Sequence, residues 1–149
     1  MAEEQRGLDE LGAELPLNRV LGQVERRVSR LLEPTLLAEG LTVDQWRVLD
    51  LLSDGAGHPM SDIAGRILVP GPTLTKLVDK LVDAAAVYRL VDSRDRRRVL
   101  AFISDSGRAL HGRLQRRVAT AEASVLAGLG TDAPVLLGLL SRLVDDSPS

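Results

Sequence analysis

Residues 70–83 read Pro70-Gly71-Pro72-Thr73-Leu74-Thr75-Lys76-Leu77-Val78-Asp79-Lys80-Leu81-Val82-Asp83, and residues 87–103 add two β-prone runs around an arginine-rich tip. The prolines cannot continue a preceding helix, but proline fixes φ near the helical value and is tolerated in a first turn. Leu74, Leu77, Val78, Leu81 and Val82 fall at i, i+3, i+4, i+7 and i+8, a complete apolar stripe at helical period. The face left over carries Thr73, Thr75, Lys76, Asp79, Lys80 and Asp83. The pattern then changes to Val87-Tyr88-Arg89-Leu90-Val91 and Val99-Leu100-Ala101-Phe102-Ile103, with Asp92-Ser93-Arg94-Asp95-Arg96-Arg97-Arg98 between them. A helix followed by a two-stranded ribbon with a cationic tip suits a nucleic-acid duplex: the helix enters a groove and the tip reaches the next one. Taken singly, the stripe says only that the helix packs, and an arginine-rich turn is more often a solvated loop. The order of elements around them carries the reading.

Upstream, Thr42-Val43-Asp44-Gln45 has capping-box spacing, with Thr42 as N-cap and Gln45 reaching back. The helix it starts holds Trp46, Val48, Leu49, Leu51 and Leu52 and stops at Ser53-Asp54-Gly55-Ala56-Gly57. His58-Pro59-Met60 reads as an extended link. Ser61 is expected to cap a short helix with Ile63, Ala64, Ile67 and Leu68 facing inward. Two short helices joined by a tight turn, the second with a polar N-terminal face, form a helix-turn-helix. Before this unit, an amphipathic helix from Leu15 carries Leu17, Val20, Leu21, Val24, Val28, Leu31 and Leu32, and Pro34 is expected to end or kink it. Residues 1–14, Glu-rich with Gly7 and Gly12, read as a mobile tail or frayed helix start. After the ribbon, Ser104 caps a long helix with Leu110, Leu114, Val118, Ala121 and Val125 on one side. A last helix, from Thr131, is apolar nearly all round and needs cover on more than one side, for which a second subunit is the expected source.

Composition narrows the choices. The chain has 149 residues, enough for one domain with a proper core, and 2% aromatics, so that core is built from Leu, Val and Ala on packed helices. Without cysteine there is no disulfide framework, thiol sensor or cysteine-ligated zinc. No carboxylate pair, nucleophile–His–Asp set, glycine-rich phosphate loop or metal spacing stands out, so neither an enzyme nor a cofactor is expected. His58 and His111 have no evident chemical partner in the sequence. No run approaches a membrane span and the acidic start is no secretory signal, so the expected place is the cytoplasm. The net charge is −2, yet residues 60–117 hold 12 Lys+Arg against 6 Asp+Glu, leaving 7 against 15 elsewhere. Basic charge gathered around helix and ribbon is the footprint of a phosphate-binding surface.

In this order, the residues resemble the MarR family of bacterial winged-helix regulators from about Leu17 to Val144. The resemblance is carried by Leu41-Thr42-Val43-Asp44-Gln45-Trp46-Arg47-Val48-Leu49, Met60-Ser61-Asp62-Ile63-Ala64, Thr73 to Leu81, Val87-Tyr88-Arg89, Asp92-Ser93-Arg94-Asp95-Arg96-Arg97 and Ser104-Asp105-Ser106-Gly107. It implies a mainly α fold: a winged helix-turn-helix with a two-stranded β wing, flanked by N- and C-terminal dimerisation helices. Residues 1–149 would form one such domain, with the DNA-binding unit at about 41–103 and the dimerisation helices at about 15–39 and 104–146. It further implies a sequence-specific transcriptional regulator, a homodimer that represses from a palindromic double-stranded DNA operator until a small aromatic or anionic effector releases it. The alternative is a dimeric helical interaction module that kept the fold without specific DNA binding; the wing arginines argue against it.

By position, Thr73, Thr75, Lys76 and Lys80 would meet the major groove and its phosphates. Arg97 would enter the minor groove with Asp95 holding its guanidinium, and Arg94 and Arg96 would supply phosphate contacts. Arg19, Arg26, Trp46 and His111 are the candidate effector-lining residues, each with a plainer role as surface charge or core. Three departures from the family pattern bear on this. Pro70 stands where a serine is common, so a cap or phosphate contact is lost. Ala85-Ala86-Val87 replaces Gly-Leu-Val, so an alanine must avoid the left-handed backbone or absorb roughly 1 kcal/mol of strain. Absence of cysteine excludes the family's peroxide-sensing branch.

Overall fold

The computed structural model describes residues 1–14 and 16–145. Leu15, where the sequence places the start of the first long helix, and the polar end at 146–149 lie outside the described residues. The chain divides into two compact units, Leu32–Val118 on the one hand and Met1–Leu31 with Ala119–Ser149 on the other.

The first unit contains the helix-turn-helix and the wing. Helix α3 (Val43–Leu52) starts with the expected capping box: Thr42 Oγ1 accepts the Gln45 amide at 3.2 Å and Gln45 Oε1 accepts the Thr42 amide at 2.9 Å. Helices α4 (Met60–Ile67) and α5 (Gly71–Asp83) follow, then strands β2 (Val87–Val91) and β3 (Val99–Ile103). His58–Pro59, read as a link, is a short strand β1 that pairs antiparallel with β3, His58 opposite Ala101. The sheet therefore has three strands in the order β1-β3-β2, of which the wing is two. Ribbon register runs from Val87 opposite Ile103 to Val91 opposite Val99.

Leu74, Val78 and Leu81 of α5, Ile63 of α4, Val48, Leu49 and Leu52 of α3, Ala101 and Ile103 of β3, and Leu36 and Leu114 from the flanking helices close one core. Fully burying each Leu, Ile or Val side chain among these contributes about 1.5–3 kcal/mol. Leu77 and Val82 of the α5 stripe are only half-buried. Leu68, expected inside, is 88% exposed, because it takes the left-handed conformation (φ 60°) that ends α4. Ser61 does not cap α4 either; the helix begins one residue before it and its N-cap is Pro59, which makes no side-chain bond.

The end of α5 is built the same way. Ala85 has φ 59°, its amide bonds Val82 O at 2.9 Å and the Ala86 amide bonds Leu81 O at 2.9 Å. This is a Schellman ending, which glycine takes at no steric cost and alanine takes with strain. The alanine thus adopts the left-handed backbone instead of avoiding it. The Ser104 hydroxyl donates to Ala85 O and accepts the Gly107 amide, capping helix α6 (Asp105–Leu126) while tying it to the α5 ending. Gly107 must be glycine here, since an added Cβ would overlap the Ala86 carbonyl oxygen.

The second unit comprises helix α1 (Ala2–Glu14), α2 (Leu17–Leu37) as far as Leu31, α6 from Ala119, and α7 (Asp132–Asp145). Residues 2–14 are helical, not a tail, with Glu3 and Glu4 favouring the positive helix N-terminus. Helix α2 runs through Pro34 to Leu37. Proline costs the one hydrogen bond its nitrogen would make to residue 30, and buried Leu32 and Leu36 on either side anchor the continuing turn. Unlike the first unit, this one has no buried hydrophobic residue among the described residues. Leu17, Val20, Leu21, Val24 and Leu31 of α2, and Val135, Leu137, Leu139 and Leu143 of α7, are all exposed. No single helix among the described residues is long and apolar enough to cross a membrane.

Candidate nucleic-acid interface

The recognition surface begins at the α4–α5 turn. Left-handed Leu68 turns the chain, the Val69 amide closes on Ala64 O at 3.1 Å, and Pro70 is the extended N-cap of α5 without a side-chain cap bond. A helix leaves its first amides without internal partners, so those of α5 stay open to an anion such as a phosphate. The serine hydroxyl that would compete for them is missing.

The four predicted α5 residues are all exposed, but they do not share one face. Helical spacing puts Thr73, Lys76 and Lys80 within about 60° of each other and Thr75 on another side. There Thr75 lines a hollow of about 490 Å³ with Met60, Arg89, Leu90, Val91 and Val99, between the helix and the ribbon. Its hydroxyl donates to Gly71 O at 3.2 Å, which leaves its methyl group and oxygen lone pairs for a ligand. The two flanks of α5 thus present different chemistry, cationic on one side and mixed apolar–polar on the other. The wing is fixed to the helix by an ion pair not foreseen in the sequence, Arg89 to Asp79 Oδ1 at 2.7 Å. Arg89 lies on an alternating strand and Asp79 on the polar side of α5, which is the one signal that could have paired them.

At the tip, each aspartate folds the loop locally. Asp92 Oδ1 accepts the Arg94 amide at 2.9 Å and Asp95 Oδ1 accepts the Arg97 amide at 3.0 Å. The Asp92 amide bonds Arg98 O at 2.9 Å and closes the loop. Asp95 therefore holds the Arg97 backbone, and the expected pairing with its guanidinium does not form. Short aspartate side chains bond amides two residues on more readily than they reach a flexible arginine head. Arg94, Arg96, Arg97 and Arg98 are exposed and none pairs with a carboxylate among the described residues. Arg97 and Arg98 line a hollow of about 300 Å³ with Pro59, Met60 and Ser61 at the start of α4. Arg98 adds a fourth tip cation to the three singled out from the sequence.

The candidate effector residues separate. Trp46 and His111 stack at 5.0 Å between ring centroids with 5° between planes, both buried, and His111 Nε2 lies 2.8 Å from Asp50 Oδ1. Ring packs against ring at this point. His111, read as a surface or pocket residue without a partner, joins α6 to α3 across 61 positions of sequence. His58 also has a partner, Asp54 Oδ2 at 2.8 Å. Desolvation pushes the Asp54 carboxyl up, but the Ala56 amide, His58 and Arg66 together hold it below its ordinary value. Arg19 and Arg26 belong to the other unit, where both are exposed. No group of His, Asp or Glu suited to a metal ion occurs among the described residues.

A sequence model described as the MarR family matches residues 39–98, which span α3 to the wing tip. The HTH-type transcriptional repressor Rv2887 of Mycobacterium tuberculosis is 33% identical over 113 residues, covering 73% of this chain and 81% of that protein. This chain belongs to the MarR family. The HTH-type transcriptional regulator FarR of Neisseria gonorrhoeae is 28% identical over 128 residues, covering 85% of this chain and 88% of that one. Among solved structures, that of NadR in complex with 4-hydroxyphenylacetate superposes with a TM-score of 0.77 at 27% identity, over 88% of this chain and 94% of that one. As a MarR-family winged-helix protein the chain is a DNA-binding transcriptional regulator. The family is one of regulators and not of enzymes.

Proposed function

We propose that this regulator binds a palindromic operator as a homodimer in the cytoplasm, represses transcription there, lets go when a small aromatic or anionic effector binds, and has no catalytic activity of its own. The observation that carries the reading is the set of tip arginines left without carboxylate partners beside a recognition helix whose Thr73, Lys76 and Lys80 face solvent. Cations held without counter-charges on a rigid ribbon fit phosphates and a narrow minor groove. Thr73, Thr75, Lys76 and Lys80 are assigned to the major groove and its phosphates. Arg97, with its backbone set by Asp95, is assigned to the minor groove, and Arg94 and Arg96 to phosphates. The exposed apolar side chains of α2 and α7 support the homodimer, because such helices reach stability by covering one another. Two recognition helices one duplex turn apart then read a two-fold site. Effector release is supported by the acid-bound NadR structure; Trp46 and His111 would have to part to admit a ring between them.

Selection from a random duplex library with the purified full chain tests this. An inverted repeat with half-sites about 10 base pairs apart is expected. Recovery of no enriched sequence would favour the interaction module instead.

A further inference from the structure

The unit formed by α1, α2, α7 and the end of α6 holds a second cationic site, away from the recognition helix and wing in sequence. Gln23, Arg26, Arg27, Arg30 and Leu31 of α2 line, with Ser124 of α6, a groove of about 570 Å³. The five α2 positions follow the i, i+3, i+4, i+7, i+8 pattern of a single helix face. None of the three arginines pairs with a carboxylate among the described residues. The acid nearest in sequence, Glu25, accepts a hydrogen bond from Ser29 at 2.6 Å.

Like charges at i and i+4, as Arg26 and Arg30 are, repel each other on a helix. A third at position 27 adds to the repulsion, and a bound anion would reverse it. Guanidinium is the side chain best matched to carboxylate and phosphate oxygens, which it meets through two parallel N–H donors, and its flat face also stacks on rings. Gln23 and Ser124 add neutral hydrogen-bonding groups, and Leu31 gives one apolar wall. The volume falls in the range of small-molecule sites.

We infer that this groove binds a small organic anion through carboxylate or phosphate oxygens, with Arg26, Arg27 and Arg30 as its ligands. This deepens the effector response proposed above and rests on that reading only for its consequence at DNA, since binding itself is measured on the protein alone.

The experiment is calorimetric titration of the full chain with citrate, benzoate and inorganic phosphate, on wild type, Arg27→Gln/Arg30→Gln and, as a control, Arg6→Gln, an exposed arginine of α1 outside the groove. Saturable binding of at least one probe is expected, weakened at least tenfold in the double variant and unchanged in Arg6→Gln. Citrate or benzoate binding without phosphate marks a carboxylate site, and the reverse marks a phosphate site. Circular dichroism melts establish that the variants fold, as exposed substitutions on a helix do. Binding of no probe, or equal binding by wild type and double variant, overturns the proposal. So does a double variant that sediments as a monomer where wild type is a dimer, because the arginines would then be holding the second copy. Wild type that binds operator but no probe fails the groove alone; wild type that binds a probe but no DNA fails the regulator reading alone.

Discussion

Helices α5 and α7 are similar in length, yet they come to opposite ends. Helix α5 spends Leu74, Val78 and Leu81 on a closed core and turns a polar face outward. Helix α7, with Val135, Leu136, Leu137, Leu139, Leu140, Leu143 and Val144, buries none of them. The contrast separates two kinds of hydrophobic helix: one whose stripe is as wide as the surface offered by its own chain, and one that is apolar beyond what its chain can cover. The first leaves its polar face to solvent. The second awaits a second molecule.

Truncating both helices sharpens the contrast. Leu74→Ala should lower unfolding stability by about 2–5 kcal/mol, read by urea denaturation and independent of protein concentration. Leu139→Glu should instead leave the winged unit folded and weaken self-association by about 2 kcal/mol or more, roughly thirtyfold, read by sedimentation. A Leu139→Glu protein that sediments like wild type would break the comparison.

A smaller effect is expected where α5 ends. Helices α2, α4 and α5 all close through a left-handed residue, at Gly40, Leu68 and Ala85. Only the first is glycine. Ala85→Gly should raise stability by about 1 kcal/mol, since relief of the left-handed strain outweighs the entropy glycine adds to the unfolded chain. A lower melting temperature in the glycine variant would show that the alanine is not strained.

The smallest effect is in acid. Asp54 has its folded pKa below the ordinary 3.8. Its contribution is therefore present above that value and disappears as pH falls through the lower folded one. Asp54→Asn should narrow the stability gap between pH 6 and pH 3 relative to wild type, and an unchanged gap would remove the carboxylate from the account.

Much of the winged unit was legible because its signals are local. The Leu74–Val82 stripe, the Thr42–Gln45 capping box and the two ribbon strands each repeat within a few residues. What escaped depends on groups far apart or on backbone that outvotes local preference. Strand β1 is two residues long, too short to alternate, and exists because β3 offers it an edge. His111 meets Asp50 and Trp46 only after α6 folds onto α3. Ala85 goes left-handed because the α5 ending and the Ser104 cap converge there. Residues 1–14 read as a mobile tail or a frayed helix start, and residues 2–14 form a helix. At the site, the cations were legible by type. Helical spacing alone divides α5 into a Thr73–Lys76–Lys80 flank and a Thr75 flank, whereas the Asp79–Arg89 pair needed the ribbon in place. Asp95 was assigned to the right loop and to the wrong group of Arg97.

The most direct measurement is a salt-titrated binding assay on the selected operator and on random DNA, comparing wild type with Arg97→Ala. The account predicts operator binding at least about 10³-fold tighter than random DNA, falling steeply with salt, and weakened by about 1–3 kcal/mol in Arg97→Ala. Equal affinity for every sequence, indifferent to Arg97, would contradict it.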